Sequence, residues 1–77
     1  MKEESNPNSK YFRVLEKIIA TRIEHGITQL NIADHIKLGE SGYFKIEKGK
    51  SKLDLERFFQ ILEYLEVSPE EFFKGIK

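Results

Sequence analysis

The chain lacks cysteine and tryptophan, and only two of its 77 residues are proline. Without cysteine it has neither a disulfide framework nor a cysteine-based zinc site. Apolar runs are short, and none approaches the roughly 18 residues that span a membrane. The first nine residues, MKEESNPNS, carry no apolar stretch typical of a signal peptide. We therefore expect one small domain in the reducing cytoplasm, without membrane contact.

Patterns for catalysis and ligand binding are also missing. The sequence has no Ser-His-Asp arrangement, phosphate-binding loop or dinucleotide-binding glycine pattern. His25 and His35 have neither a cysteine nor a suitable carboxylate pattern beside them, and Glu70-Glu71 fits the charged start of a helix. We expect a protein that is not an enzyme, holds no metal or cofactor and binds no small-molecule ligand.

Net charge is absent too, since thirteen basic residues balance thirteen acidic ones. The distribution is uneven: residues 10–52 carry nine Lys or Arg against five Asp or Glu, whereas residues 53–73 carry one Arg against six acids. Chance scatter over a highly charged surface is one explanation. The alternative, which the sign change near residue 52 favours, is a basic region and an acidic region with different partners.

Hydrophobic spacing and helix-start residues predict five helices and no strand. Thr28, Asp54 and Ser68 are expected caps, as is Ser9 for the first helix, and Gly26 is an expected stop. The expected helices span about residues 10–25, 28–36, 40–48, 55–66 and 69–75. This indicates an all-α domain over 10–77, preceded by a flexible lead-in over 1–9.

Apolar residues at helical spacing supply the expected core. Ala33 and Tyr43 belong to the two short central helices, and Phe72 belongs to the last. The expected stripe of the first helix is Phe12, Leu15, Ile18, Ile19 and Ile23, and that of the fourth is Leu55, Phe58, Phe59, Ile61, Leu62 and Leu65.

Residues 28–49, TQLNIADHIKLGESGYFKIEKG, carry the most information. Two helices this short are not stable alone, and the small Ala33 lets them approach, as in a helix-turn-helix. The segment resembles the DNA-binding domains of the phage-repressor type, the Xre or Cro/C1 family. The resemblance covers about residues 10–73 and implies a five-helix, lambda-repressor-like fold. The matching elements are Thr28-Gln29, Ile32-Ala33, Tyr43 and Ile46-Glu47-Lys48-Gly49.

The second helix of such a motif enters the major groove, with its N-terminal residues at base edges. If Tyr43 and Ile46 face the core, the outward positions and candidate base contacts are Glu40, Ser41, Gly42, Phe44 and Lys45. Lysine donates to guanine, glutamate accepts from cytosine, and a phenyl ring can contact a thymine methyl. The resemblance places base contacts mostly on Glu40, Ser41 and Lys45. The alternative is a solvated helix face.

Phosphate contacts are expected at Thr28, Gln29, Lys48, Lys50 and Lys52. A helix N-terminus attracts anions, and the matching glutamine of the family holds a phosphate and braces the recognition helix. The lysines follow the recognition helix, where a DNA backbone would run. The alternatives are a simple helix cap, which suits Thr28 better, and a soluble charged loop.

Two further features concern orientation and the turn. The resemblance implies that Arg22 and Glu47 form an ion pair across the first and third helices. Lys37 stands where the family commonly has glycine. Either Lys37 adopts a left-handed conformation at a cost of about 1–2 kcal/mol, or Gly39 supplies the freedom. The sequence leaves both open.

The last helix has more apolar residues than a small monomer can bury. We expect Phe73 and Ile76 to form a dimer interface, the alternative being that they fold back on the first helix. The resulting hypothesis is a DNA-binding transcriptional regulator, such as a small repressor, which binds double-stranded DNA as a homodimer. The alternative is an antitoxin or other protein-binding module whose acidic, aromatic C-terminal face binds a partner protein.

Overall fold

The computed structural model describes residues 7–76 and gives the side chains of residues 10–76. The described part contains five helices and no strand, so the all-α prediction is confirmed. Four of the helices agree with the expected bounds to within one residue. The helices are α1 (Pro7–Glu24), α2 (Gln29–His35), α3 (Glu40–Glu47), α4 (Leu55–Leu65) and α5 (Pro69–Lys74).

Helix α1 begins earlier than predicted. It starts at Pro7, so Ser9 lies within the helix and the prediction that Ser9 caps it is wrong. Proline is favoured at a first helical position because its missing N–H needs no partner there. Residues 7–9 therefore belong to α1, and the rest of the lead-in predicted over 1–9 lies outside the described residues.

Helices α2, α4 and α5 begin at the predicted caps. Thr28 Oγ1 accepts a hydrogen bond from the Asn31 N–H, and Asn31 Oδ1 accepts one from the Thr28 N–H. Asp54 and Ser68 each accept from the backbone N–H three residues later. Each cap satisfies an N–H that the helix itself leaves free and contributes about 0.5–2 kcal/mol.

Helices α1 to α4 all end in turns where one residue adopts a left-handed conformation. Two of these residues are glycines, Gly26 and Gly49, with φ of 69° and 81°. The other two are Lys37 and Glu66, with φ of 58° and 61°. Glycine tolerates this region without strain, whereas a side chain there costs about 1–2 kcal/mol.

The turn between α2 and α3 answers the question that the sequence left open. Lys37 is itself left-handed, and its N–H donates to the Asp34 carbonyl while the Leu38 N–H donates to the Ala33 carbonyl. Gly39 also has a positive φ, 81°. The turn therefore uses a positive φ at both Lys37 and Gly39. Only Lys37 is strained there, because glycine has no side chain.

The core lies where α1, α2, α3, α4 and α5 each contribute a buried face. Burying an aliphatic side chain of this size contributes about 1.5–3 kcal/mol. The predicted core positions on α2 and α3, and Phe72 on α5, are confirmed. The largest fully buried side chains are Tyr43, Phe72, Ile18, Ile32, Ile61, Leu62 and Leu65.

Four residues of the predicted stripes are exposed, so their assignment to the core is wrong. Phe12 and Ile23 on α1 are 47% and 62% exposed, and Leu55 and Phe59 on α4 are 66% and 48% exposed. A helix against a core buries a stripe only about 100° wide, and the two stripes predicted from the sequence are wider. A domain this small has too little interior for the excess.

Candidate nucleic-acid interface

Helices α2 and α3 pack together through a shared buried cluster. Ile32 and Ala33 of α2, Ile36 directly after it and Tyr43 of α3 are all part of this cluster, and the partly buried Leu38 of the connecting turn packs against it. Helix α3 is therefore held on its inner side and by the turn that precedes it. This leaves its outer side free.

Two of the candidate base contacts at the start of α3, and two that lie one turn later, face solvent. Glu40, Ser41, Phe44 and Lys45 are all exposed. Three of them, Glu40, Ser41 and Phe44, line one small surface pocket together with Gln29 of α2. The predicted base-contacting and phosphate-contacting residues thus meet where the N-termini of α2 and α3 come together.

Gly42 does not face outward as expected. It is half-buried, and a Cβ atom at this position would lie 2.9 Å from Leu38 Cγ. The missing side chain lets Leu38 fold over the start of α3 and close the turn. This packing role explains a glycine that weakens a short helix by about 0.5–1 kcal/mol relative to alanine.

Lys48 lies one turn after Phe44 and packs on it. Its ammonium nitrogen is 5.4 Å from the centre of the Phe44 ring, a cation–π contact. The exposed ring and the charge therefore occupy neighbouring places on the outer side of α3. The four-residue spacing of Phe44 and Lys48 is the sequence signal that sequence reasoning missed.

The lysine-rich loop of residues 48–52 has a fixed backbone. The Lys45 carbonyl accepts from the Lys50 N–H at 2.9 Å and from the Ser51 N–H at 3.1 Å. At the far end the Leu53 N–H donates to the Tyr11 hydroxyl at 2.7 Å. The side chains of Lys48, Lys50 and Lys52 are exposed. The loop thus presents three ammonium groups from a backbone anchored to α1.

Sequence reasoning missed the part of α1 that supports this loop. A Cβ atom at Gly49 would lie 2.8 Å from the Phe12 ring, so the ring packs directly on the glycine. Together with the Tyr11 hydroxyl, this contact fixes the end of α3 against α1. No local pattern marks such a contact, because it joins residues about forty positions apart.

Arg22, Glu47 and Gln29 form a network that joins the first three helices. Arg22 Nε donates to Glu47 Oε2 at 2.8 Å, and Arg22 Nη2 donates to Glu47 Oε1 at 3.2 Å. Gln29 Nε2 donates to the same Oε1 at 2.9 Å, and Arg22 Nη1 donates to the Ile27 carbonyl at 3.0 Å. The structure therefore brings together the two residues expected to pair and adds Gln29 as a third.

The network is nearly closed to solvent. The side chains of Arg22 and Glu47 are 12% and 6% exposed. Burial alone would raise the pKa of Glu47, but the hydrogen bonds from Arg22 and Gln29 outweigh it and lower that pKa below its ordinary value. Glu47 is thus held as a carboxylate, with its charge matched by Arg22.

Tyr43 lies beside this carboxylate. Among the described residues its buried hydroxyl has no hydrogen-bond partner, and burial, aided by the nearby Glu47 carboxylate, raises the pKa of Tyr43 far above its usual value. The hydroxyl therefore stays protonated and serves the core rather than proton transfer.

The side chains of Thr28 and Gln29, at the start of α2, both form hydrogen bonds within the protein. Thr28 Oγ1 is the cap acceptor, which leaves its hydroxyl proton free to donate elsewhere. Gln29 uses one amide hydrogen on Glu47 and keeps a second. Either group retains a donor for a phosphate oxygen.

The two residues predicted for a dimer interface lie in different grooves. Phe73 is 46% exposed, packs on Phe58 with ring centres 5.7 Å apart, and faces a groove that Leu55 also lines. Ile76 is half-buried and lines a groove along α1 with Lys17. Ile76 thus folds back against α1, while Phe73 remains accessible.

The packing of α2 against α3 can be compared with known protein families. Residues 16–77 match the family described as Helix-turn-helix domain. The chain belongs to this family. No curated protein and no solved structure matches the chain. Among the described residues no helix is both long and apolar enough to cross a membrane.

Proposed function

We propose that this helix-turn-helix chain is a sequence-specific DNA-binding transcriptional regulator of the Xre or Cro/C1 type, with a lambda-repressor-like arrangement. The observation that carries the proposal is the Arg22–Glu47–Gln29 network beside an exposed recognition surface on α3. A network of this kind fixes the angle of α3, and DNA readout requires donors held in place before binding.

Base readout falls to the exposed residues of α3. Lys45 donates to guanine O6 or N7, Ser41 to either class of base, and Glu40 accepts from a cytosine amino group. Phe44 offers its ring to a thymine methyl group. Gly42 is half-buried beside Leu38, so it contributes mainly through the turn that it closes, and only its backbone can approach a base.

Phosphate contacts fall to the loop and to the start of α2. Lys48, Lys50 and Lys52 neutralise backbone charge, and Thr28 and Gln29 offer a hydroxyl and an amide donor. Three neutralised phosphates per protomer predict a slope of log K against log salt of about −2.7. These contacts position α3 but do not read sequence.

We further propose a homodimer on a two-fold site, formed through the accessible Phe73 on α5, with Ile76, which follows α5 and packs back toward α1, at most at the edge of the interface. An exposed phenyl ring beside Leu55 supports this surface. Two-fold symmetry would set the two recognition helices about 34 Å apart on one side of the duplex. Sedimentation equilibrium of the wild type and of Phe73→Ser tests the assembly, and a monomeric wild type at high concentration contradicts it.

Selection of bound sites from random DNA tests the regulator proposal. Lys45→Ala should change preference at one base pair by about 1–3 kcal/mol. Lys50→Ala should weaken all sequences alike and reduce the salt slope by about one per protomer. Lys74→Ala, an exposed lysine on α5, is the matched control and should do neither. Equal effects of all three substitutions would show that only net charge matters and would contradict base readout.

A second candidate function is a protein-binding module, such as an antitoxin. The observation that favours it is the acidic stretch 53–73, whose one basic residue, Arg57, pairs with Asp54 at 3.0 Å, together with exposed Phe59 and Phe73. The neighbouring gene discriminates between the two functions, because a gene for a toxin or an endonuclease beside this one would show which kind of partner the protein serves.

A further inference from the structure

A groove on the far side of α4 is separate from the residues assigned to DNA. It runs between the outer side of α4 and the segment that connects α4 to α5, and no residue of α3 or of the lysine-rich loop lines it. We call it the α4–α5 groove. Its lining residues are Glu56, Phe59, Gln60, Leu62, Glu63, Val67 and Pro69.

The centre of the α4–α5 groove is apolar. Phe59 is 48% exposed, and its ring packs against Phe58 with centres 5.7 Å apart. Phe58 fills the core position on α4, so Phe59 is not needed to complete the core. Val67 is half-buried and Pro69 is exposed. An ordered ring with one open side, flanked by apolar residues, suits an inserted aliphatic or aromatic side chain.

The walls of the groove are acidic. Glu56 and Glu63 are seven residues apart, two helical turns, and so lie on the same side of α4. Among the described residues neither pairs with a lysine or arginine, and the only ring nitrogen within 4 Å of Glu63 is His35 Nε2, 3.9 Å from Oε1. Arg57 is committed to Asp54. The two carboxylates are thus free for cations from outside.

We propose that the α4–α5 groove binds a basic, amphipathic segment of another protein. An apolar side chain of the partner packs on Phe59, Val67 and Pro69, and flanking lysines or arginines meet Glu56 and Glu63. The proposal deepens the second candidate function and does not depend on DNA binding, because α3 stays free. It gives a regulator a way to carry a partner while on DNA.

The negative charge of the groove favours a basic segment over a second copy of this chain or DNA. A second copy placed on the same groove by two-fold symmetry would bring Glu56 and Glu63 of both copies together, and like charges at close range repel. DNA is repelled for the same reason. A basic segment gains from the carboxylates as well as from the apolar floor.

The probe is a synthetic helical peptide with leucines at positions i, i+3, i+4 and i+7 and lysines elsewhere. Two reference peptides replace the leucines with serine or the lysines with glutamate. We expect amide shift changes in the full chain confined to residues 56–69, and no binding of either reference peptide. Phe59→Ser and Glu63→Lys should each weaken binding about tenfold or more. Glu16→Lys, which changes an exposed acid on α1, should alter affinity less than about twofold.

Several results would overturn the proposal. An equal loss for Glu16→Lys would mean attraction to net charge alone, and shifts centred on Phe73 or on α3 would mean another site. Absence of binding at about 1 mM peptide would mean no useful affinity. Dissociation of a homodimer by Phe59→Ser would assign the groove to a second copy. Phe59→Ser should keep the DNA affinity of the wild type, so failure here is distinct from failure of the regulator proposal.

Discussion

Replacing Glu47 with alanine should remove the acceptor that joins α1, α2 and α3. Arg22, whose side chain is only 12% exposed in the intact protein, would then lose the partner for its charge, and Gln29 would lose its acceptor as well. Breaking a buried ion pair by removing one partner costs about 3–5 kcal/mol. A domain of 77 residues has a total stability of about 4–12 kcal/mol at 0.05–0.15 per residue. The loss is therefore a large fraction of the whole.

The assay is urea unfolding followed by circular dichroism, with matched variants. We expect Arg22→Ala and Glu47→Ala to lose similar amounts, because each leaves the other residue unpaired. Gln29→Ala should lose about 1.5–3 kcal/mol, as it removes one hydrogen bond to a charged group. Glu24→Ala, an exposed acid at the end of α1, is the control and should stay within about 0.5 kcal/mol of wild type.

A double variant distinguishes the net contribution of the Arg22–Glu47 ion pair from the cost of leaving one buried charge unpaired. Arg22→Met combined with Glu47→Leu should lose less than the sum of the two single losses, because two apolar groups of similar size replace the pair. Unchanged unfolding midpoints for both Arg22→Ala and Glu47→Ala would refute the claim that the network fixes α3.

Three further predictions concern the turn, the start of α3 and pH. Lys37→Gly should raise the free energy of unfolding by about 0.5–1 kcal/mol, because relief of about 1–2 from the left-handed lysine is partly offset by the entropy glycine loses; a gain for Lys37→Ala as well would contradict this reason. Gly42→Ala should destabilise the protein in urea, since its Cβ atom would lie 2.9 Å from Leu38 Cγ, and Leu38→Ala should relieve that loss. Because folding lowers the pKa of Glu47, its stabilisation is present above its ordinary pKa of about 4.3 and is lost as pH falls through the lower folded value. The stability difference between wild type and Glu47→Gln should therefore shrink below about pH 4, and a constant difference down to pH 2 would contradict it.

Local signals predicted the helices well because they act over a few residues. Thr28, Asp54 and Ser68 each cap a helix through a hydrogen bond spanning three positions, which a short window of sequence contains. Pro7 was the missed signal, since proline suits a first helical position. Apolar spacing failed at Phe12 and Phe59, because periodicity marks a side of a helix but not how much of it the remaining chain covers.

The candidate site was predictable where it follows the spacing of the motif and not where it depends on distant contacts. The exposure of Ser41 and Lys45 follows from the burial of Tyr43 and Ile46 on the opposite side of α3. The role of Gly42 depends on the reach of the Leu38 side chain, which spacing does not reveal.

The central claim is that the exposed side of α3 reads DNA sequence. The most direct measurement is a titration, at low salt, of the selected duplex and of a scrambled duplex of equal length, followed by fluorescence anisotropy. The account predicts tighter binding to the selected duplex by a factor of at least about a thousand, with affinity falling linearly in log salt. No detectable binding at low salt, or equal affinity for the two duplexes, would contradict it.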